Sequence, residues 1–469
     1  MNPLKKLLGQ TAIYGLSSVI GRLLNYLLVP LYTRYFLPAE YGVVTELYAY
    51  VAFLVIVLTY GLETAFFRFS KKDNDVKVVY STVLISLIVS SIIFVILMFA
   101  SSSSIANWMG YAGHTEYIEW FAIIIALDAI SSISFAKLRA QNKAIRFASI
   151  RLANIFVNIS LNIYFIVYQE FGIEYIFLAN LIASIITLVM LLPEMINSSW
   201  SFDKSLWKKM MIYALPLLIA GLAGMTNETI DRILLKHLLP NSDSAASELG
   251  LYGAFYKLSI IMTLFIQTFR FAAEPFFFAQ EKEGNSRKIY ADVMKYFTII
   301  MTIIFLGVTI FYDVIKGFLG SEYHDDRGFL VVSILLLANL FLGIYYNLSI
   351  WYKLTEKTKY GAYLSIFGAI ITLGLNLTLI PVVGFIGSAW ATLACYFSMT
   401  IASYYLGKKH FPVPYNIKRI GVYLFGMLGI YFFIYFADSN MQTNSLVLIG
   451  FIIFVFILEK RNKTINFKP

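Results

Sequence analysis

The chain has 469 residues, of which 59% are hydrophobic and only 14% are charged. An ordinary soluble domain has about one quarter charged residues, so this composition excludes a water-soluble globular protein. The net charge of +10 then indicates basic loops on one side of a membrane rather than a nucleic-acid partner.

Long apolar stretches follow one another along the whole sequence. A bilayer core about 30 Å thick requires about 20 such residues per helix, so the sequence predicts an all-α integral membrane protein with about fourteen spans. In chain order the spans cover residues 10–33, 42–66, 79–100, 117–136, 152–168, 174–193, 210–235, 250–273, 296–312, 328–351, 360–380, 384–406, 420–436 and 444–458. Because the last is short and residues 381–383 form the only turn between the eleventh and twelfth, twelve or thirteen spans remain an alternative.

Basic residues alternate between the connections. Most of the 37 Lys and Arg residues lie in every second connection, while the intervening ones hold only Arg34, Lys236, Lys316 and Arg327. This alternation favours an even number of spans and, by the positive-inside rule, places both termini in the cytoplasm. The first span carries Arg22 and lacks a small-residue cleavage site, so we expect it to remain as a helix.

The sequence contains a direct repeat. The matching landmarks are Tyr41-Gly42 with Tyr252-Gly253, Glu63 with Glu274, Phe66-Phe67 with Phe277-Phe278, Lys143 with Lys357, and Leu161-Asn162 with Leu375-Asn376. The repeat unit is six helices, so the two halves have the same orientation and the substrate path is expected between them. This predicts an N-terminal lobe at residues 1–200, a C-terminal lobe at 201–407, and two additional helices with a basic tail at 408–469.

Ionisable residues inside the spans are the candidate functional residues. A charge at a helix centre costs roughly 2.5–3.5 kcal/mol, so it normally faces a cavity or a partner. We expect these charges mainly on the first, second, seventh and eighth spans, with Asp128 on the fourth and none on the third, fifth, sixth and ninth to fourteenth. The candidates for substrate binding are Arg22, Asn25, Arg232, Lys257 and Arg270, and those for a coupling ion are Glu46, Asp128 and Asp231.

Several candidates have a structural alternative. Arg22 shares a helix face with Asn25 and suits an anion, but it can instead pair with Glu46 or Asp128. Arg232 follows Glu228 by four residues, and Glu274 follows Arg270 by four, so each pair can form an ion pair along its helix. Lys257 has no acid at such a spacing and needs a partner elsewhere or a substrate. Nothing selects between a proton and Na⁺ for the carboxylates.

Enzymatic signatures are absent from the sequence. There is no G-x-x-x-x-G-K-[ST] phosphate loop, and the four histidines show no metal-binding spacing. Cys395 is the only cysteine, so neither an intramolecular disulfide nor a cysteine metal cluster can form, and we expect it to be a small core residue. We therefore predict a protein that is not an enzyme and that holds no cofactor or metal.

Specific segments carry a family resemblance. They are Gly15 to Arg34 followed by Tyr41-Gly42, IDRILLKHLL from Ile230, LGLYGAFYKLS from Leu249, FRFAAEPFFF from Phe269 and GLNLTLIPVVGFIGSAWAT from Gly374. Through them the chain resembles, nearly end to end, the polysaccharide flippases of the multidrug, oligosaccharidyl-lipid and polysaccharide exporter superfamily. The resemblance implies two six-helix lobes in a V, and alternating access.

The implied function is flipping of an undecaprenyl-pyrophosphate-linked oligosaccharide to the outer leaflet of the plasma membrane, for surface polysaccharide such as capsule or O-antigen. Its implied partners are this lipid-linked substrate, the bilayer and polysaccharide polymerase machinery. In related lipid II flippases cavity arginines matter, and Arg22 matches them in kind, while Arg232 and Lys257 match less well because nearby acids can neutralise them. The alternatives are a lipid II flippase, a cation-coupled multidrug exporter of the same superfamily, and a membrane enzyme of polysaccharide assembly.

Overall fold

The computed structural model describes residues 20–21, 23–70, 75–281, 285–437 and 440–461. These residues form helices joined by turns and short loops, with no strand among them. The helices are α1 Leu28–Tyr35, α2 Pro38–Thr59, α3 Leu62–Phe69, α4 Val76–Trp108, α5 Thr115–Ala140, α6 Ala144–Asn162, α7 Glu174–Ile196, α8 Lys204–Leu238, α9 Ser242–Gln280, α10 Ser286–Ile310, α11 Tyr312–Lys316, α12 Arg327–Leu348, α13 Ile350–Leu354, α14 Lys359–Val383, α15 Phe385–His410, α16 Ile417–Ala437 and α17 Met441–Arg461.

The predicted membrane spans are confirmed wherever the structure describes them. Its described part contains 13 helices long and apolar enough to cross a membrane, and they match the second to fourteenth predicted spans one for one. The first predicted span, residues 10–33, has residues 10–19 and 22 outside the described ranges, and its C-terminal part includes most of α1. The chain is therefore a multi-pass, all-helical membrane protein.

Local chemistry sets where the helices begin and end. At the start of α2, Pro38 occupies the first helical turn, and the Glu40 carboxylate accepts the N–H of Leu37 at 2.8 Å. A single residue, Gly384 with φ of 61°, separates α14 from α15. Residues 381–383 belong to α14, so their expected role as the turn was wrong, because glycine alone reverses the chain there.

The chain divides into two compact units. Unit 1 comprises Met1–His237 with Asn241–Gly250, and unit 2 comprises Leu238–Pro240 with Leu251–Pro469. Unit 1 includes α8, which the sequence repeat assigns to the second half. The division at residues 200 and 407 describes the repeat rather than this packing and stays a prediction.

Each unit has its own hydrophobic core. In unit 1 buried side chains of α3, α4, α5 and α8, such as Phe66, Leu84 and Ile133, pack together. In unit 2 the core includes Trp351, Met399 and the buried Cys395, so the expected place of this cysteine in the core is confirmed.

The same packing order occurs in both units. In unit 1, α5 contacts α4 and α7, and α6 contacts α7; in unit 2, α12 contacts α10 and α15, and α14 contacts α15. The buried Asn162 donates to the carbonyl oxygen of Asn158 at 2.8 Å, and the buried Asn376 donates to that of Thr372 at 2.7 Å. These contacts join equivalent repeat positions, so the direct repeat is structural. The additional helices α16 and α17 pack on α10.

Two glycines let helices of unit 1 approach closely. A Cβ atom on Gly42 of α2 would lie 1.9 Å from the carbonyl oxygen of Ala246, and one on Gly250 would lie 1.8 Å from that of Pro38. No larger residue fits at either position without moving a backbone, so the start of α2 and the first turns of α9 are held in direct backbone contact.

Candidate functional site

The first candidate residue, Arg22, lies outside the described residues. Its predicted neighbour Asn25 precedes α1 and is exposed. The roles of both residues as anion contacts therefore stay predictions.

Glu46 is fully buried and forms an ion pair. Its carboxylate accepts the Lys236 ammonium at 2.7 Å and also the Tyr111 hydroxyl, and 0% of Glu46 and 17% of Lys236 side-chain surface is exposed. Lys236 also donates to the carbonyl oxygen of Met109 at 2.6 Å and lies 3.8 Å from the centre of the Tyr111 ring. Burial, followed by the nearby Glu46 charge, raises the pKa of Tyr111, so this hydroxyl remains a donor.

This arrangement joins α2 to the C-terminal end of α8. The sequence placed Lys236 in a connection, which was wrong because α8 continues to Leu238. The structural alternative predicted Arg22 as the partner of Glu46, whereas the structure provides Lys236. Because the buried Glu46 carboxylate already binds a cation and a hydroxyl donor, its observed role is to hold α2 and α8 together. Its role in binding a coupling ion stays a prediction.

Asp128 lies in the middle of α5 and is accessible to solvent. It accepts the Ser184 hydroxyl of α7 at 3.0 Å, and the Arg151 guanidinium of α6 is near enough to attract it. Arg151 is also exposed and lies 4.2 Å from the centre of the Phe135 ring. Because both charges are on membrane-spanning helices and both are exposed, we expect the surface that they share within unit 1 to face water rather than lipid.

Neutral polar side chains form hydrogen bonds between neighbouring helices. Asn180 donates to the Tyr48 hydroxyl at 2.9 Å, and Asn154 donates to the Thr187 hydroxyl at 2.9 Å. These pairs join α7 to α2 and to α6. Arg151 also lies on α6, and Asp128 on α5 is hydrogen-bonded to α7. Such amides and hydroxyls can exchange partners with the hydroxyl groups of a sugar.

Sequence reasoning missed Arg151 as a site residue. It was counted among the loop cations, because the fifth predicted span began at residue 152, whereas α6 begins at Ala144. At 1.5 Å per residue Arg151 lies roughly 10 Å inside that helix. One sequence signal could have indicated its position. Arg151 is separated from Arg146 by a mostly apolar segment, which is more typical of a helix than of a loop.

Asp231 and Arg232 lie together on α8. Asp231 is buried and accepts the backbone N–H of Arg232 at 2.9 Å, while the Arg232 guanidinium donates to the Thr229 hydroxyl at 3.3 Å. Both side chains thus have local partners on their own helix. Their predicted roles in ion and substrate binding remain predictions.

The candidates in unit 2 lie on α9. Lys257 is half-buried there. The Arg270 guanidinium lies 3.9 Å from the centre of the Tyr346 ring and 3.9 Å from the Glu274 carboxylate, and Glu274 also binds Lys353 at 2.5 Å. Arg270 therefore has the local acid partner that the structural alternative predicted.

Charges occur on more helices than the sequence indicated. Lys295 of α10 binds Glu459 of α17 at 2.7 Å, and Arg419 of α16 binds the same carboxylate at 3.0 Å. Only 6% of Lys295 and 5% of Glu459 side-chain surface is exposed. The expected absence of charge from the ninth and later spans was wrong, because the helices are longer than the apolar windows. The helix α10 begins at Ser286, before the window at residue 296, so Lys295 lies well inside it.

Metal ligands are not gathered in the described part of the chain, where no group of three or more His, Cys, Asp or Glu residues is placed to hold an ion. The sites above are instead ion pairs and hydrogen-bonded polar surfaces. Together with the thirteen apolar helices of the described chain they define an integral membrane protein with ionisable groups inside its spans.

Comparison with known proteins identifies the family. The family described as "Polysaccharide biosynthesis protein" matches residues 31–326, more than half of the chain, and the chain belongs to it. The predicted membership in the flippases of the multidrug, oligosaccharidyl-lipid and polysaccharide exporter superfamily is thereby confirmed. No curated protein sequence matches the chain.

Solved structures share its fold. The lipid II flippase MurJ in an inward closed conformation is similar with a TM-score of 0.76 and 17% identity, over 96% of this chain and 99% of that one. A multidrug resistance MATE family transporter in an inward-facing conformation has a TM-score of 0.65 and 14% identity, over 88% and 95%. A transporter of the MOP superfamily from Pyrococcus furiosus has a TM-score of 0.56 and 13% identity, over 89% of this chain and 95% of that one. At these identities the similarity concerns the fold.

Proposed function

We propose that this chain flips a polyprenyl-pyrophosphate-linked oligosaccharide from the cytoplasmic to the outer leaflet by alternating access, for the synthesis of a surface polysaccharide. Membership in a polysaccharide biosynthesis family supports the glycan. The observation that carries the proposal is the accessible Arg151 beside Asp128 on membrane-spanning helices of unit 1.

The chemistry of this surface suits the head group. A guanidinium binds a phosphate through parallel hydrogen bonds and keeps its charge at all physiological pH values. The half-buried amides of Asn154 and Asn180 suit a sugar, while a polyprenyl tail remains in lipid. An exporter of cationic drugs would favour acidic and aromatic surroundings without such an arginine.

The test uses the full chain in proteoliposomes with a fluorescent polyprenyl-pyrophosphate oligosaccharide, and measures the fraction that a membrane-impermeant quencher reaches. Arg151→Gln is expected to slow flipping at least about tenfold, since a charge-assisted contact is worth roughly 1.5–3 kcal/mol. Arg151→Lys keeps the charge and is expected to slow flipping less. The control is Lys208→Gln, which removes an exposed cation of α8. Equal rates for Arg151→Gln and the native chain would refute the anion contact.

The same vesicles distinguish the competing substrates. Fluorescent lipid II tests the reading suggested by the fold of MurJ, and a cationic dye tests the drug exporter. The proposal requires faster flipping of the oligosaccharide lipid than of either alternative. Faster transport of lipid II or of the dye would assign the chain to that substrate instead.

We also propose Asp128 as the residue that binds a coupling cation. Its carboxylate is accessible and has one neutral donor, Ser184, and one attracting cation, Arg151. Asp128→Asn should abolish the dependence of flipping on an imposed proton or Na⁺ gradient and leave gradient-free flipping largely intact. Unchanged gradient dependence would remove Asp128 from this role.

We propose that the chain lies in the plasma membrane with both termini in the cytoplasm. A polysaccharide polymerase is a proposed partner there. Cysteine labelling tests the topology because Cys395 is buried and can be replaced by serine. In a Cys395→Ser background, Lys208→Cys should react with an impermeant maleimide only from the inside, and Asn440→Cys only from the outside. The reverse pattern would invert the topology.

A further inference from the structure

A cavity of about 620 Å³ opens on unit 2 at one end of its helix bundle. It lies between the N-terminal end of α10, the C-terminal end of α15 and the loop from residue 411 to 416. Its polar walls are Asn285, Arg287, Lys288, Tyr404, Lys408 and Tyr415. None of these residues belongs to the sites described above.

The charge of this cavity has one sign. Arg287, Lys288 and Lys408 contribute three exposed cations, and the lining residues include no acid. Within the described ranges none of the three forms an ion pair. The Arg287 guanidinium is held 4.9 Å from the centre of the Phe411 ring, which leaves its N–H groups available to a ligand.

Topology alone does not account for this convergence. The positive-inside rule requires basic residues on one side of the membrane but does not require them to surround a common space. Here cations from two different helices, distant in sequence, face one cavity together with two tyrosines. Convergent donors around a concave space are the arrangement of a binding site for an anion.

The tyrosines add neutral donors. Burial and then the neighbouring Tyr404 raise the pKa of Tyr415, so its hydroxyl stays protonated near neutral pH. The two rings lie 6.5 Å apart. Tyrosines of this kind are frequent at the boundary between lipid and water, where the ring is apolar and the hydroxyl is wet.

An apolar surface begins directly beside the cavity. The loop from residue 411 leads into α16, whose first residue, Ile417, is exposed, as are Val422 and Phe425 further along the helix. On a membrane-spanning helix such side chains contact acyl chains. An anion held in the cavity is therefore next to a surface for hydrocarbon, which favours a lipid over a free phosphate.

We propose that this cavity binds the phosphate group of an anionic phospholipid in the cytoplasmic leaflet, with Arg287, Lys288 and Lys408 as its cationic contacts and the acyl chains along α16. The leaflet assignment rests on the topology proposed above, whereas binding itself does not. The bound lipid would anchor the base of α16 to α10 and α15 within unit 2.

The experiment uses the full chain reconstituted in phosphatidylcholine vesicles with a minor fraction of phosphatidylglycerol, then extracted in mild detergent. Native mass spectrometry counts the phosphatidylglycerol molecules that remain bound. The variant Arg287→Gln/Lys288→Gln/Lys408→Gln is compared with Lys204→Gln/Lys208→Gln/Lys209→Gln, which removes three exposed cations of α8 elsewhere. Both must elute as folded protein with native thermal midpoints.

We expect the cavity variant to lose occupancy by about fivefold for each cation removed and the control to keep the native value. Equal losses in both variants would show only general surface electrostatics and overturn the site, as would retention in the cavity variant. If inorganic phosphate at millimolar concentration displaced the lipid completely, the site would be one for free phosphate. Because flipping is not measured, failure here leaves the proposed transport function standing.

Discussion

Glu274 of α9 binds Lys353 of α13 at 2.5 Å in unit 2, and Glu63 of α3 binds Arg139 of α5 in unit 1. Glu274 follows Glu63 by 211 residues and Lys353 follows Arg139 by 214, which are the two offsets of the sequence repeat. An acid and a base that meet at equivalent positions in both units show that the repeat preserves a contact as well as a fold.

Reversal of the charges tests this contact. Glu274→Lys should lower the free energy of unfolding by about 0.2–1 kcal/mol, because 40% of Glu274 and 25% of Lys353 side-chain surface is exposed and water screens the pair. Addition of Lys353→Glu should recover the loss, as measured by thermal unfolding in detergent. The exposed Glu322→Lys serves as control, and additive losses in the double variant would contradict the pair.

The buried pair of Glu46 and Lys236 should have a much larger effect. Glu46→Ala leaves the Lys236 charge buried without its carboxylate, so we expect a loss of about 3–5 kcal/mol and a lower thermal midpoint. The double variant Glu46→Met/Lys236→Met should recover most of it, since no uncompensated charge remains. A thermal midpoint for Glu46→Ala equal to the native one would show that the pair is not formed in the membrane.

Replacement of glycine by alanine should lower the free energy of unfolding at two positions and raise it at two others. Gly42→Ala and Gly250→Ala place a Cβ atom on a backbone carbonyl oxygen, so overpacking should destabilise the protein by about 1–3 kcal/mol. Gly224→Ala and Gly374→Ala meet nothing within 4 Å, and the higher helix propensity of alanine should stabilise by up to about 1 kcal/mol. Equal midpoints for the four variants, measured by thermal unfolding, would exclude the close approach of α2 to α9.

The cluster around Glu459 should hold the two additional helices. Glu459→Ala removes the carboxylate shared by Lys295 and Arg419 and should cost about 3–5 kcal/mol. Because α16 and α17 contact α10, loss of this packing should unwind the end of α17 and speed tryptic cleavage after Lys460, which lies on that helix. Limited proteolysis of solubilised protein checks this, with the exposed Glu281→Ala as control; equal cleavage rates in both variants would mean that apolar packing alone holds these helices.

The sequence alone determined the membrane-spanning architecture. Apolar length and the alternation of basic loops report directly on the thickness and asymmetry of a bilayer, and the 13 described spans match it. The ordered landmarks of the repeat likewise predicted equivalent helices, because residues 211–214 positions apart keep their local neighbours.

Only the tertiary structure decided which charges meet. Lys236 and Arg151 were predicted to lie in loops because a hydropathy window ends where charged residues occur. The hydrogen-bonded helix nevertheless includes both residues. Lys236 then meets Glu46 across 190 residues of sequence, and Arg151 on a neighbouring helix lies near enough to attract Asp128. Coulomb attraction depends on distance in space, which neither hydropathy nor spacing along one helix encodes.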